Sequence, residues 1–354
     1  MTMDCALDET TKTAINAVLG HYTFKTVDHT RITHGLINLT LRLDADDGQH
    51  YILQRVNPIF GEEVNRNIEI VSGHLASNKL LTPSVIPTAD GALDVIFESE
   101  RWRVLSYIEG RTMDATINPA LIEAAGALLG RFHTALSTLT LELEQTRPPV
   151  HDLPRHIGQL RRSLDDHRKH DAHKAASELS DEVFTLAQAV PASERLSQSV
   201  VHGDPKISNV IFAADEDRAL CLVDLDTLCR MPIVYELGDA LRSWCNPHPE
   251  DSPESDFKVT LMAAALRGYL AQARQLLTED DFSAVIPAVL QIHYELAARF
   301  LADALEERYF GWDSSRYPRA SEHNLARARA QLQAARSLAR QRGRAEHLIG
   351  ALCT

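Results

Sequence analysis

Cysteine is scarce in this chain: five residues, Cys5, Cys221, Cys229, Cys245 and Cys353, an odd number with no Cys-x-x-Cys spacing. Neither a disulfide framework nor a zinc site is indicated, and a reducing cytoplasm is the expected setting. No apolar run approaches the roughly 20 residues that a membrane span needs. The first ten residues carry Asp4, Asp8 and Glu9 and no cationic segment, so no signal peptide is expected. Positive charge is short as well, with 36 Lys and Arg against 49 Asp and Glu and a formal net charge of −13. A general nucleic-acid binder needs a basic surface, which sets that class aside; neither nucleic acid nor membrane is an expected partner. The chain does have 354 residues, 44% hydrophobic and 24% charged, enough for a substantial core and about two domains.

One stretch carries chemistry. Ser199 to Phe212 contains His202-Gly203-Asp204, then Asn209 five residues beyond the aspartate; an acidic turn and Leu220-Cys221-Leu222-Val223-Asp224-Leu225-Asp226-Thr227 follow. His-x-Asp-x-x-x-x-Asn before an Asp-bearing apolar strand is the spacing of a phosphoryl-transfer loop. A γ-phosphoryl group is ringed by negative oxygens, so the attacking hydroxyl must be held in line and must lose its proton, and a fixed carboxylate does both. Asp204 takes that role. Mg²⁺ binds oxygen ligands from one or two side chains together with ATP phosphates, which points to Asn209 and Asp224. Asp226, two residues along an expected strand, should share a face with Asp224 while Val223 and Leu225 face the core; it reads equally as a ligand or as a structural acceptor. Lys206 either neutralises charge on the moving phosphoryl group or is a surface lysine.

The N-terminal part reads as strands. Thr33 to Asn38 falls between two strand patterns, a hairpin loop or a cover over phosphates through the backbone at Gly35. Tyr51-Ile52-Leu53-Gln54-Arg55-Val56 is the strand on which a kinase usually places a Lys for the α- and β-phosphates; here Gln54 and Arg55 stand instead. Neighbours on a strand face opposite ways, and Arg55 has the charge, so it is preferred over Gln54. Glu69, on an expected helix from Glu62 to Ser77, is the matching acid or a solvated residue. Trp102 to Ile108 closes the small sheet. Beyond Asn118 the periodicity turns helical. The polar stretch from His151 to Lys174, with five histidines, reads as a solvated helix rather than a metal site. Three long helices are expected at Val259 to Leu277, Phe282 to Tyr309 and Ser321 to Leu348. Arg299 and Asp303 stand four apart, a common salt-bridge spacing.

His202-Gly203-Asp204-x-Lys206, Val223-Asp224-Leu225-Asp226-Thr227, Glu236-Leu237-Gly238-Asp239-Ala240-Leu241-Arg242-Ser243, Arg299-Phe300-Leu301-x-Asp303 and Glu322-His323-Asn324-Leu325 together resemble the aminoglycoside phosphotransferase and choline kinase superfamily. Within it, they are most similar to the N-acetylhexosamine 1-kinases. The likeness covers most of residues 20 to 340. It implies that backbone groups of Ser106 and Ile108, beside Tyr107-Ile108-Glu109-Gly110, bind adenine. It also implies that the Gly35 to Asn38 segment lines the active site, with Asn38 on the acceptor and Leu36 where the family often has histidine. Gln54 takes the lysine position by alignment, Asp239 holds the catalytic loop, and Arg299 helps wall the acceptor pocket.

The expected fold is therefore α+β and protein-kinase-like: an antiparallel sheet with one helix over residues 1–106, then a mostly helical C-terminal lobe over residues 107–354. The expected activity is transfer of a phosphoryl group from ATP, with Mg²⁺, to a small-molecule hydroxyl, most of all the anomeric hydroxyl of an N-acetylhexosamine. An aminoglycoside or amino-alcohol acceptor is the first alternative. A non-catalytic nucleotide-binding module is the second, because the usual Lys is missing. A protein kinase is disfavoured by the lack of a Gly-x-Gly-x-x-Gly loop and of an Ala-Pro-Glu segment.

Overall fold

The structure is a computed structural model that describes residues 7–32, 38–144, 151–190 and 196–353. The loop residue Gly35 lies outside the described residues. The chain separates into two compact units, residues 1–109 with 140–148 and residues 110–139 with 149–354. The division falls three residues later than the sequence suggests, and the first unit also takes up a short return segment.

The first unit is built on alternation. Helix α1 (Glu9–Leu19) precedes β1 (Thr26–Ile32), β2 (Leu39–Ala45) and β3 (His50–Val56). Helix α2 (Glu63–Ser77), β4 (Val85–Ile86), β5 (Val95–Phe97) and β6 (Glu100–Ser106) complete it, so two helices rather than one accompany the sheet. The strands form one antiparallel sheet in the order β1-β2-β3-β6, with β4 and β5 both on the far edge of β6. Leu41, Leu43, Leu53, Trp102 and Val104 project to one face and bury Ala14, Ile15 and Val18 of α1. The alternate residues project to the other face, where Asn65 of α2 is bonded.

The second unit is mostly helical: α3 (Pro119–Leu136), α4 (Leu153–Asp166), α5 (His173–Gln188), and, after four short strands, α6 (Ile233–Trp244), α7 (Val259–Ala273), α8 (Glu279–Glu306), α9 (Ala320–Arg340) and α10 (Arg342–Cys353). Asn118 caps α3 by accepting from the Ala120 N–H, with Pro119 in the first turn, as its sequence indicates. The expected last helix is two, parted at Gln341. The histidine-rich stretch exposes its Arg and Lys residues to solvent, as expected, but keeps its histidines at least partly buried. His151 is held 3.0 Å from Glu295 of α8, and His156 is buried on α4. Burial opposes charge on His151, but the Glu295 carboxylate outweighs it and raises the pKa.

The four strands position the site. β7 (Gln198–Val201) pairs antiparallel with β10 (Cys229–Pro232), and β8 (Val210–Phe212) with β9 (Ala219–Leu222). The registers set Val201 opposite Cys229 and Val210 opposite Leu222. The loop from β7 to β8 and the loop from β9 to β10 therefore leave the same ends of the two pairs and lie against each other. Among the described residues no helix is long and apolar enough to cross a membrane.

Candidate active site

The first of these loops carries His202, Gly203, Asp204, Lys206 and Asn209, and the second carries Asp224, Asp226 and Thr227. Backbone and side chain stitch them together. The Val223 N–H donates to the Asn209 carbonyl at 2.9 Å, and the Thr227 hydroxyl donates to the His202 carbonyl at 2.6 Å. His202 Nε2 lies 2.9 Å from the Val223 carbonyl, while the Asp204 N–H donates to Nδ1 at 3.3 Å. The two contacts define the neutral tautomer with its proton on Nε2. Gly203 has φ +85°, and a Cβ there would collide with the Thr227 carbonyl, so a residue without a side chain is needed for the loops to meet.

Helix α6 anchors the first loop from behind. The fully buried Glu236 accepts from the backbone N–H groups of His202 and Gly203, at 2.8 and 2.9 Å. The Ile207 N–H donates to Ser243 Oγ at 3.0 Å and the Trp244 indole N–H to the Pro205 carbonyl at 2.8 Å. Burial would raise the Glu236 pKa, but His133, 3.7 Å away, and the loop amides lower it. The holding acid is thus Glu236. Asp239, named for that task by the resemblance, lies one turn further along α6 and pairs with Arg242 at 2.9 Å. Replacing Glu236 with Ala should strand two buried amides, on the order of 1–3 kcal/mol each. Displacement of Asp204 should in addition cut turnover about a hundredfold. Denaturant titration and steady-state kinetics on the same sample check both.

Lys206 Nζ donates to Asp204 Oδ2 at 2.8 Å. Burial pushes the Asp204 pKa up, but the charge and hydrogen bond of Lys206, with Arg242 beyond, bring it down to about 2. Lys206, likewise opposed by burial, is raised by Asp204, Asp224 and Glu250. The pair is an ion pair across the working pH range. Asn209 donates from Nδ2 to the Asp204 carbonyl at 2.8 Å, which orients its side-chain amide.

Asp224 and Asp226 do not alternate along a strand. β9 ends at Leu222, Asp224 takes a left-handed conformation at φ 68°, and residues 225–227 form a 3₁₀ turn. Asp224 stays partly exposed while Asp226 is 1% exposed within the turn, where it suits a structural acceptor better than a ligand. Burial first, then Asp226, raises the Asp224 pKa against the pull of Lys206. A carboxylate raised by a second negative charge beside it suits a cation. Among the described residues no three His, Cys, Asp or Glu converge as a metal site, so the oxygen set available is the mixed one, Asn209 with Asp224.

In the first unit, Arg55 and Gln54 lie on opposite faces. Arg55 is on the α1 face, where Nη1 donates to Glu100 at 2.9 Å and the guanidinium rests 5.9 Å from the Trp102 ring centre. The residue on the α2 face is Gln54, so the preference for Arg55 is corrected to Gln54. Glu69 is exposed on α2; the α2 residue that faces Gln54's neighbourhood is Asn65. The Asn38 carbonyl oxygen Oδ1 accepts from the Asn57 N–H at 2.9 Å. The Ser106 N–H is taken by the Ser84 carbonyl at 2.9 Å, so Ser106 cannot offer that donor to adenine. Ile108 lies in the irregular segment that follows β6.

Arg299 and Asp303 do not pair. Asp303 accepts from the N–H groups of Arg308, Tyr309 and Phe310 and from Asn324 Nδ2, closing the turn after α8. Arg299 packs over the rings of Tyr309 and Phe310. The arginine that acts on Asp204 is Arg242, whose Nη1 stands 3.8 Å from Glu250; Glu250 in turn stands 3.8 Å from Nε of the buried Arg327. Of Arg242, Glu250 and Arg327, only Arg242 lies within the motif likeness.

A sheet-bearing N-terminal unit and a helical unit with this pair of loops define a kinase-like phosphotransferase fold. The chain belongs to the phosphotransferase enzyme family, whose model matches residues 28–280, and is a small-molecule phosphotransferase of the aminoglycoside phosphotransferase and choline kinase type. A homoserine kinase of Methylobacillus flagellatus is 24% identical over 317 residues, covering 85% of this chain and 88% of that protein. Among solved structures, the microcompartment-associated aminopropanol kinase has a TM-score of 0.64 at 15% identity, covering 96% of this chain and 99% of that one. Amicoumacin kinase in complex with AMP-PNP, Ca²⁺ and Ami has 0.62 at 17%, covering 92% and 93%. At these identities the structures share a fold with this chain.

Proposed function

We propose that the chain transfers the γ-phosphoryl group of ATP to a hydroxyl of a small polar acceptor. The observation that carries this is the meeting of Asp204, Lys206 and Asn209 with Asp224, fixed by the paired ends of four short strands. Asp204 accepts the acceptor's hydroxyl proton as a hydrogen bond and holds the oxygen in line. With a pKa near 2 it is a weak base, so the proton passes to it only as the new P–O bond forms and the bond to the β–γ bridging oxygen breaks. Lys206, fixed by Asp204, sets positive charge beside the moving group. Asn209 and Asp224 would hold Mg²⁺, which supplies charge to the phosphate oxygens when bound. Gln54, and backbone groups at Ile108, would meet the nucleotide.

For the acceptor we propose the anomeric hydroxyl of an N-acetylhexosamine or related sugar, supported by the motif likeness around the two loops. A hydroxyl-bearing amino acid is the second reading. Arg242 and Glu250, which act on Asp204 and Lys206, offer opposite charges suited to a carboxylate and an ammonium, and curated relatives are named homoserine kinase. A coupled ADP-release screen over free sugars, amino sugars, aminoglycosides, choline and homoserine, with products read by phosphorus NMR, decides between them. A sugar 1-phosphate supports the first reading and an O-phosphorylated amino acid the second. ADP release with none of these acceptors would count against both.

A further inference from the structure

A kinase-like sheet needs a cation at the β3 position where this chain has Gln54, and Arg55 faces the wrong way. The register of β3 and β6 sets Arg103 directly opposite Gln54, on the same face. Arg103 is 1% exposed, and its guanidinium is fitted to its neighbours. Nε and Nη2 donate to Gln54 Oε1 at 3.0 and 2.7 Å, and Nη1 donates to Asn65 Oδ1 at 3.0 Å. The chain of contacts continues: Asn65 Nδ2 donates to Asp94 Oδ2 at 2.7 Å, and Arg101 Nη1 donates to the same oxygen at 2.6 Å.

Charge settles both amide orientations. Turning Asn65 over would set its NH₂ against a guanidinium and its oxygen against a carboxylate, and turning Gln54 would set NH₂ against Arg103. With Oε1 drawn to Arg103, the Gln54 NH₂ is directed away from it. One N–H reaches Thr40 Oγ1 at 3.3 Å, the longest contact of the series. A guanidinium at the oxygen end of an amide polarises it and makes its N–H groups stronger donors to an anion.

We propose that Arg103 supplies, through the side-chain amide of Gln54, the positive charge that holds the nucleotide's phosphates. Arg103 is a positioning residue: it touches Gln54, and Gln54 touches the phosphate. The inference rests on the phosphotransfer reading and concerns the nucleotide alone, whatever the acceptor.

Binding of Mg·AMP-PNP and of adenosine, measured by calorimetry on the full chain, separates phosphate contacts from base contacts. Arg103→Met should weaken Mg·AMP-PNP tenfold or more and leave adenosine within twofold. Adding Gln54→Lys to it returns a cation to β3 and should restore Mg·AMP-PNP to within about threefold of the parent. Gln54→Glu keeps the acceptor for Arg103, so the fold stands even if Arg103→Met does not fold. It sets an anion before the phosphates and should cost at least thirtyfold for Mg·AMP-PNP, again sparing adenosine. Gln54→Glu binding Mg·AMP-PNP like the parent would overturn the proposal, as would a folded Arg103→Met that binds both ligands normally, loses both equally, or is not rescued by Gln54→Lys. Failure of the parent chain to bind Mg·AMP-PNP would instead sink the phosphotransfer reading, and this inference with it.

Discussion

Asp204→Asn is expected to lower kcat about a thousandfold while leaving the affinity for ATP within a few-fold, because an amide can neither take the hydroxyl proton nor hold Lys206 by charge. The effect belongs to turnover rather than binding. Asp204 touches the acceptor's hydroxyl in the proposed arrangement, and the loop that carries it is held by Glu236, Ser243 and Trp244 whichever side chain stands at 204. Nearly isosteric Asn preserves the Asp204 carbonyl that Asn209 grips. Rapid-quench measurement of a single turnover, beside equilibrium binding of ATP, separates the two quantities. Activity in the variant within tenfold of the parent would remove Asp204 from the proton transfer.

Asp224→Ala is expected to abolish the dependence of nucleotide binding on a divalent cation. Asp224 is the partly exposed carboxylate of its turn, and Asn209 alone is a neutral, single-oxygen donor. Without the carboxylate, the increment that Mg²⁺ adds to AMP-PNP affinity should fall by about a hundredfold, roughly 3 kcal/mol. Titrations with Mg²⁺ and with EDTA give the increment directly. The left-handed backbone at φ 68° suits Asp or Asn better than Ala, so Asp224→Asn serves as the control that keeps the turn. If the increment survives in Asp224→Asn but not in Asp224→Ala, the turn rather than the charge carries the effect.

Much of this was legible along the chain. Asp204, Lys206 and Asn209 are local in sequence, and apolar runs on either side announce the strands that carry them. What escaped depended on conformation or on register. Asp224 and Asp226 look like alternating strand residues, because no glycine or proline marks the left-handed turn at Asp224. Glu236 and Asp239 lie three apart on one helix, and only the packing of α6 under the loop tells which acid reaches the amides. Asp303 stands at salt-bridge spacing from Arg299, yet three backbone N–H groups after α8 compete for it and win.

Arg103 was hidden by the same limit. In Trp102-Arg103-Val104 a charged residue between apolar ones reads as the solvent side of a strand, whereas the covering helix α2 buries it. Its partner Gln54 is 49 residues away in sequence, and only the β3–β6 register pairs them. Gln54 itself could be placed by alternation once one face was known. Arg55, preferred for its charge, stood on the other.

The central claim is that Asn209 and Asp224 hold one divalent ion with the γ-phosphoryl group turned toward Asp204. A crystal structure with Mn²⁺ and AMP-PNP tests it most directly, since the metal's anomalous signal locates the ion independently of the protein. The predicted result is a peak about 2.1 Å from an oxygen of each residue, with the γ-phosphorus facing the Asp204 carboxylate. A peak elsewhere, or bound nucleotide whose γ-phosphoryl group points away from Asp204, would contradict it.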